Sequence, residues 1–196
     1  MSLGELTALR DEIDALDIEI QQLLNRRAAI AEKVAEVKMQ ELDAAAEADS
    51  DKTPVFYRPE REAQILRNVM ARNEGPMEDK KMAHIFREIM SACLALEKPL
   101  QVAYLGPEGT FTESAAIKHF GCAIDSCPMS SIDEVFSAVE HSNCDYGVIP
   151  VENTTEGVVT LTLDRFLSSP LNICGELMLP IKLNLLVQEG VKQTSC

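Results

Sequence analysis

The chain lacks several features on which common classes of protein depend. Its 196 residues include no tryptophan and only three histidines, and its six cysteines form no C-x-x-C pair. We therefore expect no metal site and no cofactor. No apolar run approaches the roughly 18 residues of a membrane span, and residues 1–5 lack the basic start of a signal peptide. The sequence thus predicts a cytoplasmic protein with reduced cysteines and no contact with a membrane.

Positive charge is also scarce. The chain has 18 lysines and arginines against 32 aspartates and glutamates, which gives a formal net charge of −14. Nucleic acid is therefore not an expected partner, because phosphate binding needs clustered cations. An anionic small molecule remains possible, since one pocket of an acidic protein can be locally basic.

The strongest pattern in the sequence is an amphipathic helix over the first forty residues. Apolar residues recur there mostly at steps of three and four, with neither proline nor glycine after residue 4. A helix of this length cannot bury its apolar stripe against itself, so it needs a partner helix from this chain or another. The stripe consists of Leu6, Leu9, Ile13, Leu16, Ile20, Leu23, Ile30, Val34 and Val37.

Two shorter helices complete the first half. Residues 40–53 are acidic and alanine-rich without an apolar stripe, which indicates a loop or a frayed helix end. Helical patterns follow over residues 60–72 and 78–97, and Pro99 ends the second of them. We interpret residues 1–98 as an all-helical domain.

The pattern changes after Pro99. Residues 101–105 read as a strand, residues 106–110 as a glycine-rich turn, and residues 112–120 as a helix for which Thr112 is a plausible N-cap. Strand and helix patterns continue to alternate, which predicts an α/β domain over residues 99–196. The later elements are a helix opening at 131–136, a strand at 146–151, a helix at 157–167 and strand-like stretches within 173–187.

Cations on the first helix are candidates for binding an anion. Arg27 and Lys38 are eleven residues apart, which returns them to within about 20° of one face, about 16 Å apart along the axis. Arg10 lies about 100° away from that face, so it would reach the equivalent pocket of a paired helix more readily. Each of these residues on its own is more often simply a solvated surface charge.

The other two helices offer further polar groups. Cys93 and Glu97 form an i, i+4 pair on the third helix, and Arg58 and Glu62 stand at the start of the second. The set contains no nucleophile with a neighbouring base. It suits a reaction that needs charge placement and no covalent intermediate.

Four separate motifs in this half resemble the all-helical chorismate mutase family. They are LRDEIDALD at residues 9–17, LLNRR at 23–27, VK at 37–38 and PERE at 59–62. The resemblance covers residues 5–98, and order and spacing agree apart from the acidic insertion. It implies an intertwined homodimer of three helices per chain, paired through the N-terminal helices, that rearranges chorismate to prephenate in one unimolecular step.

The resemblance also implies roles for individual residues. Arg27 and Lys38 would bind substrate carboxylate, with Lys38 also reaching the ether oxygen, and Arg10 would come from the other subunit. Glu62 would accept the ring hydroxyl, and the third helix would complete the pocket, so that Lys38 and Glu97 act as catalytic residues. The full expected substrate-binding set is Arg10, Arg27, Lys38, Arg58, Glu62, Cys93 and Glu97.

Three positions depart from the family pattern. Arg58 stands where some members have an acidic residue, and Cys93 replaces a typical serine with a weaker hydrogen-bond donor. Glu97 stands where some members have glutamine. A carboxyl group facing the breaking ether bond must be protonated to donate a hydrogen bond.

The second half resembles prephenate dehydratase, on the segments GPEGTF at 106–111 and PVENTTEG at 150–157. This family converts prephenate to phenylpyruvate between two lobes of a periplasmic-binding-protein-like fold. By match, Thr110, Glu152, Asn153, Thr154 and Gly157 would line the substrate cleft. The order of the two halves is that of the bifunctional enzymes of phenylalanine biosynthesis.

The family's Thr-Arg-Phe segment and its regulatory domain are not found in the 196 residues. We therefore expect a chain truncated within the dehydratase domain, with that activity lost or very weak. Two other interpretations stay open: a non-catalytic fragment that dimerises and binds a carboxylate, and a plain helical interaction protein.

Overall fold

The computed structural model describes residues 3–46, 57–154 and 157–182. The first half is helical, as predicted, with α1 at Leu3–Ala46, α2 at Pro59–Ala71 and α3 at Asp79–Glu97. The helix α1 continues to residue 46 through the start of the acidic segment, where a loop or a frayed end was expected. The rest of that segment lies outside the described residues.

The helix α3 lies between the other two, because it packs against both α1 and α2. It buries Ala83, Ser91 and Cys93, while α2 buries Leu66 and Val69. The helix α1 contacts α3 at Arg27 and Lys38, both in its second half. Residues 4–26 of α1 are exposed along their whole length, apolar stripe included.

The second half begins with a parallel three-stranded sheet. Its strands are β1 (Gln101–Leu105), β2 (Asp125–Met129) and β3 (Tyr146–Val148), in the order β2-β1-β3. The helices α4 (Phe111–Phe120) and α5 (Ile132–Glu140) make the crossovers. Alternating strands and helices therefore give the expected α/β region.

A small antiparallel pair follows this sheet. It joins β4 (Glu152–Asn153) to β5 (Gly157–Val158), with Asn153 opposite Gly157. The helix α6 then spans Thr160–Ser168.

Several local predictions were wrong. Thr110, not Thr112, caps α4, because its side-chain oxygen accepts the backbone N–H of Glu113. The helix expected from residue 157 begins at Thr160, since Gly157 is held in the β4–β5 pair. The strand expected over 146–151 ends at Val148, and β2 was not predicted at all. Residues 173–182 contain no regular strand, and 183–187 lie outside the described residues.

The core of the α/β region lies on both faces of β1. Val102 packs with Leu100, Ala116 and Phe120 on one face, and Ala103 packs with Val135, Ala138 and Cys144 on the other. The first cluster also buries Tyr57, the residue that comes shortly before α2. The helical and α/β halves are therefore packed together at this cluster.

Among the described residues, no helix is both long enough and apolar enough to cross a membrane.

Candidate functional site

The helices α1 and α3 bring two of the predicted catalytic residues into contact. The Lys38 ammonium lies 3.6 Å from the Glu97 carboxylate, whose side chain is only 8% exposed. The Glu97 Oε2 atom is buried and accepts no hydrogen bond from the described residues. The Lys38 ammonium therefore lies beside a buried carboxylate oxygen that can still accept a hydrogen bond.

Arg27 lies on the same side of α1. Its guanidinium donates to the backbone carbonyl of Ile89 on α3, at 3.5 Å. Cys93 is buried one turn before Glu97 on that helix. The structure thus brings Arg27, Lys38, Cys93 and Glu97 to the interface between α1 and α3.

Arg10 does not join this site within one chain. It is exposed, and seventeen residues of helix place it about 26 Å along α1 from Arg27. That this residue serves a pocket of a paired helix stays a prediction.

Glu62 lies on α2 and contacts a different part of α3. Arg87 donates to its carboxylate at 3.4 Å. Burial, together with the nearby charge of Glu62, raises the pKa of the Tyr57 hydroxyl. Arg58 is exposed at the N-cap of α2 and makes no side-chain capping bond. Among the contacts of the described residues, none links Glu62 or Arg58 to the Lys38–Glu97 pair.

Sequence reasoning missed Tyr57 and Arg87 as residues of interest. The ion pair of Arg87 with Glu62 spans 25 positions, and only the antiparallel packing of α2 on α3 creates it. The one sequence feature that pointed to Tyr57 was its position two residues before Pro59, where an aromatic residue precedes the start of a helix.

Thr110 uses its hydroxyl to shape the glycine-rich turn. The hydroxyl donates to the carbonyl of Leu105 at 3.1 Å and accepts the N–H of Glu113 at 3.4 Å. The Glu113 carboxylate accepts the N–H of Gly109 in return. This pattern is similar to a capping box, except that Glu113 accepts the N–H of Gly109 and not that of the N-cap residue. Thr110 therefore has a structural role in the described chain.

An open groove lies at the carboxyl ends of β1 and β2. Its volume is about 350 Å³, and the first turns of α4 and α5 follow its lining segments along the chain. α/β proteins usually bind ligands at this edge of the sheet, in the crevice where the strand order reverses, which here lies between β1 and β3. The lining residues are Gly106, Pro107, Pro128, Met129 and Ser130.

The remaining predicted residues of the α/β half do not line this groove. Glu152, Asn153 and Thr154 are exposed on and after β4, and Gly157 adopts a positive φ of 83° on β5. They form one local cluster around the β4–β5 turn. The structure does not gather them with the lining residues of the groove.

Two family models match the chain in the same order as its two structural halves. Residues 9–98 match chorismate mutase type II, and residues 102–195 match prephenate dehydratase. The fold and the site therefore define a helical domain of the mutase class followed by an α/β region of the dehydratase class.

Curated relatives carry both halves in this order. The bifunctional chorismate mutase/prephenate dehydratase of Pseudomonas aeruginosa is 53% identical over 188 residues, which cover 96% of this chain and 50% of the relative. The protein of the same name from Aquifex aeolicus is 46% identical, with 94% of this chain and 49% of the relative covered. The chain belongs to the family of bifunctional chorismate mutase/prephenate dehydratases, and it spans about half the length of the relatives it matches.

Among solved structures, a chorismate mutase (form II) from Thermus thermophilus is 31% identical to this chain. The match covers 48% of this chain and 94% of that one, with a TM-score of 0.41.

Proposed function

We propose that the helical half of this chain rearranges chorismate to prephenate, within a homodimer, as a cytoplasmic step of phenylalanine biosynthesis. The observation that carries the proposal is the meeting of Arg27, Lys38 and Glu97 at the interface of α1 and α3. The site combines two cations with one carboxyl group and is partly shielded from solvent. Such a site suits a dicarboxylate substrate whose charge distribution changes during the reaction.

Each residue has a distinct part in the proposed chemistry. Arg27 and Lys38 hold the substrate carboxylates, and the Lys38 ammonium reaches the ether oxygen as its bond to carbon breaks. The 3.6 Å between Lys38 and Glu97 is long for a charge-assisted hydrogen bond, so a substrate oxygen can compete for that ammonium. When it carries a proton, Glu97 would donate a hydrogen bond to the same oxygen and keep that proton throughout the rearrangement. No covalent intermediate is needed, because positioning and preorganised charge lower the barrier.

The exposed surface of α1 supports the proposed homodimer. An apolar stripe that is exposed over more than twenty residues is expected to be buried against another surface. The equivalent α1 of a second copy provides such a surface. The same pairing would carry Arg10 of one copy toward Arg27 and Lys38 of the other. This arrangement is the intertwined dimer that the sequence resemblance implies.

For the α/β half, we propose a lobe of periplasmic-binding-protein type that contacts prephenate, with the division between the two halves at residues 98 and 99. The support is the groove at the carboxyl ends of β1 and β2, beside the turn that Thr110 shapes. Glu152, Asn153, Thr154 and Gly157 would join it from the β4–β5 turn.

A pair of neighbouring arginines on α1 tests the mutase proposal. Arg27→Ala should lower kcat/KM for chorismate about 100-fold, which corresponds to about 3 kcal/mol of lost transition-state stabilisation. Arg26→Ala is the matched control, because Arg26 is exposed on a different face of the same helix. Equal activity of the two variants would refute the proposed site. A wild-type chain that binds chorismate without consuming it would favour the non-catalytic, carboxylate-binding alternative.

A further inference from the structure

The junction between the two halves of the chain lies beside a predicted catalytic residue. Glu97 is the last residue of α3, and Gln101 is the first residue of β1. An extended chain spans at most about 3.6 Å per residue, so these two residues lie within about 14 Å of each other. The first strand of the α/β half therefore starts one short segment away from the Lys38–Glu97 contact.

Asp145, which lies just before β3, contacts both ends of this connecting segment. Its carboxylate accepts the backbone N–H of Gln101 at 2.9 Å, and its own N–H donates to the Gln101 carbonyl at 2.8 Å. The other carboxylate oxygen lies 3.5 Å from the Lys98 ammonium. The side chain of Lys98 is 56% exposed, so this ion pair contributes little by itself. The two hydrogen bonds to Gln101 are therefore the stronger part of the contact.

The middle of the segment is held by the sheet as well. Leu100 is buried in the cluster that contains Val102 and Phe120. Its carbonyl accepts the N–H of Asp125, the first residue of β2, at 3.0 Å. Residues 98–101 are thus bound to segments on both sides of β1, and the end of α3 cannot move without disturbing these bonds.

The α/β half also holds α3 further back, on another face of the helix. The Glu88 carboxylate accepts the N–H of Cys122 at 3.0 Å, and the Ser91 hydroxyl accepts the N–H of Ala123 at 3.2 Å. Glu88 precedes Glu97 by nine residues, which places it about 180° round the helix. The α/β half therefore supports α3 without occupying the face on which Glu97 meets Lys38.

The contact between Lys38 and Glu97 depends on where the end of α3 lies. The two side chains come from different helices, and the atoms that meet are 3.6 Å apart. The side chain of Glu97 is nearly buried, so its position follows that of the helix that carries it. Displacement of a catalytic group by about 1 Å can cost as much as about 100-fold in rate.

We propose that Asp145 is a positioning residue of the mutase site. By fixing residues 98 and 101, it sets the position of Glu97 relative to Lys38, so a residue of the α/β half controls the geometry of the mutase chemistry. The inference rests on the proposed mutase function. Asp145 touches no substrate in this account and acts through the end of α3.

The experiment measures steady-state turnover of chorismate by the full chain that carries Asp145→Ala. We expect kcat to fall about 10-fold, because Glu97 loses its fixed position. KM should stay within about twofold of wild type, because Arg27 and Lys38 on α1 still bind the substrate carboxylates. Asp145→Asn should restore kcat to within about threefold of wild type, since its amide oxygen can accept the N–H of Gln101.

Two further variants separate positioning from general stability. Asp133→Ala is the matched control, because it removes the same side chain from an ion pair within the α/β half, with Arg165 at 3.1 Å. It should leave kcat within about twofold of wild type. In a chain that already carries Glu97→Ala, Asp145→Ala should alter the remaining turnover less than about twofold, because the residue that Asp145 positions is gone.

Four results would overturn the inference. They are an equal loss of kcat with and without Glu97, an Asp145→Asn variant as impaired as Asp145→Ala, an Asp133→Ala variant as impaired as Asp145→Ala, and an Asp145→Ala chain that does not fold. The last result would make Asp145 a residue of general stability. A wild-type chain that does not consume chorismate refutes the proposed function itself, which is a distinct outcome.

Discussion

The exposed apolar stripe of α1 gives the sharpest prediction about assembly. Ile13 and Ile20 are 56% and 52% exposed in the single chain. Seven residues of helix return them to within about 20° of one face. We expect both side chains to be covered by α1 of a second copy, and the double variant Ile13→Ala, Ile20→Ala to weaken that association.

The magnitude follows from the exposed area that remains to be buried. Full burial of an isoleucine side chain is worth about 1.5–3 kcal/mol, so burying the exposed half contributes about 1 kcal/mol. Two positions in each of two symmetric copies make four side chains, or about 4 kcal/mol in the dimer. The dissociation constant should therefore rise by about a thousandfold.

Light scattering coupled to size-exclusion chromatography, over a dilution series, measures this change directly. Ile18→Ala is the matched control, because Ile18 is also exposed but lies about 200° round α1 from Ile20. It should leave self-association unaltered. Chorismate turnover should decline on dilution in parallel with the dimer, since Arg10 would come from the partner. A fully active monomer, or equal effects of the double variant and its control, would refute the reasoning.

Three further predictions concern stability and are measured by denaturant unfolding. Gly121→Ala should destabilise the chain by roughly 2 kcal/mol or more. Gly121 has a φ of +86°, and an added Cβ would lie 2.5 Å from the Cβ of Ser91. Unaltered stability would contradict the tight contact between the two halves. Thr110→Ala should cost about 1 kcal/mol through loss of the cap, whereas Thr112→Ala should cost clearly less, and the reverse order would disprove the capping assignment. Burial raises the pKa of Tyr146 from its ordinary value of 10.0 to about 12, so the folded state holds this proton more tightly. Stability should therefore be complete below about pH 10 and decline from pH 10 to 12, less steeply in Tyr146→Phe.

The mutase half was predictable because its determinants are local and periodic. Apolar spacing identified α2 and α3 to within a residue of their ends, and α1 apart from its continuation to residue 46. The helical angle between Arg27 and Lys38 placed both on one side of α1, where the structure finds them facing α3. The missed strand β2 is short, and its partner β1 lies far away in sequence, with Gln101 opposite Asp125. The start of α6 was misplaced because Gly157 pairs with Asn153 and does not begin the helix.

Sequence alone therefore determined the order of the two halves, the family, and the face of α1 that carries the cations. These properties depend on residue identity and on the fixed geometry of a helix. Only the tertiary structure decided that Glu97 meets Lys38, that Glu62 pairs with Arg87, and that Tyr57 packs into the core of the α/β region. Such contacts arise when distant segments bury apolar surface together, and no periodicity within one segment encodes the side chain it will meet.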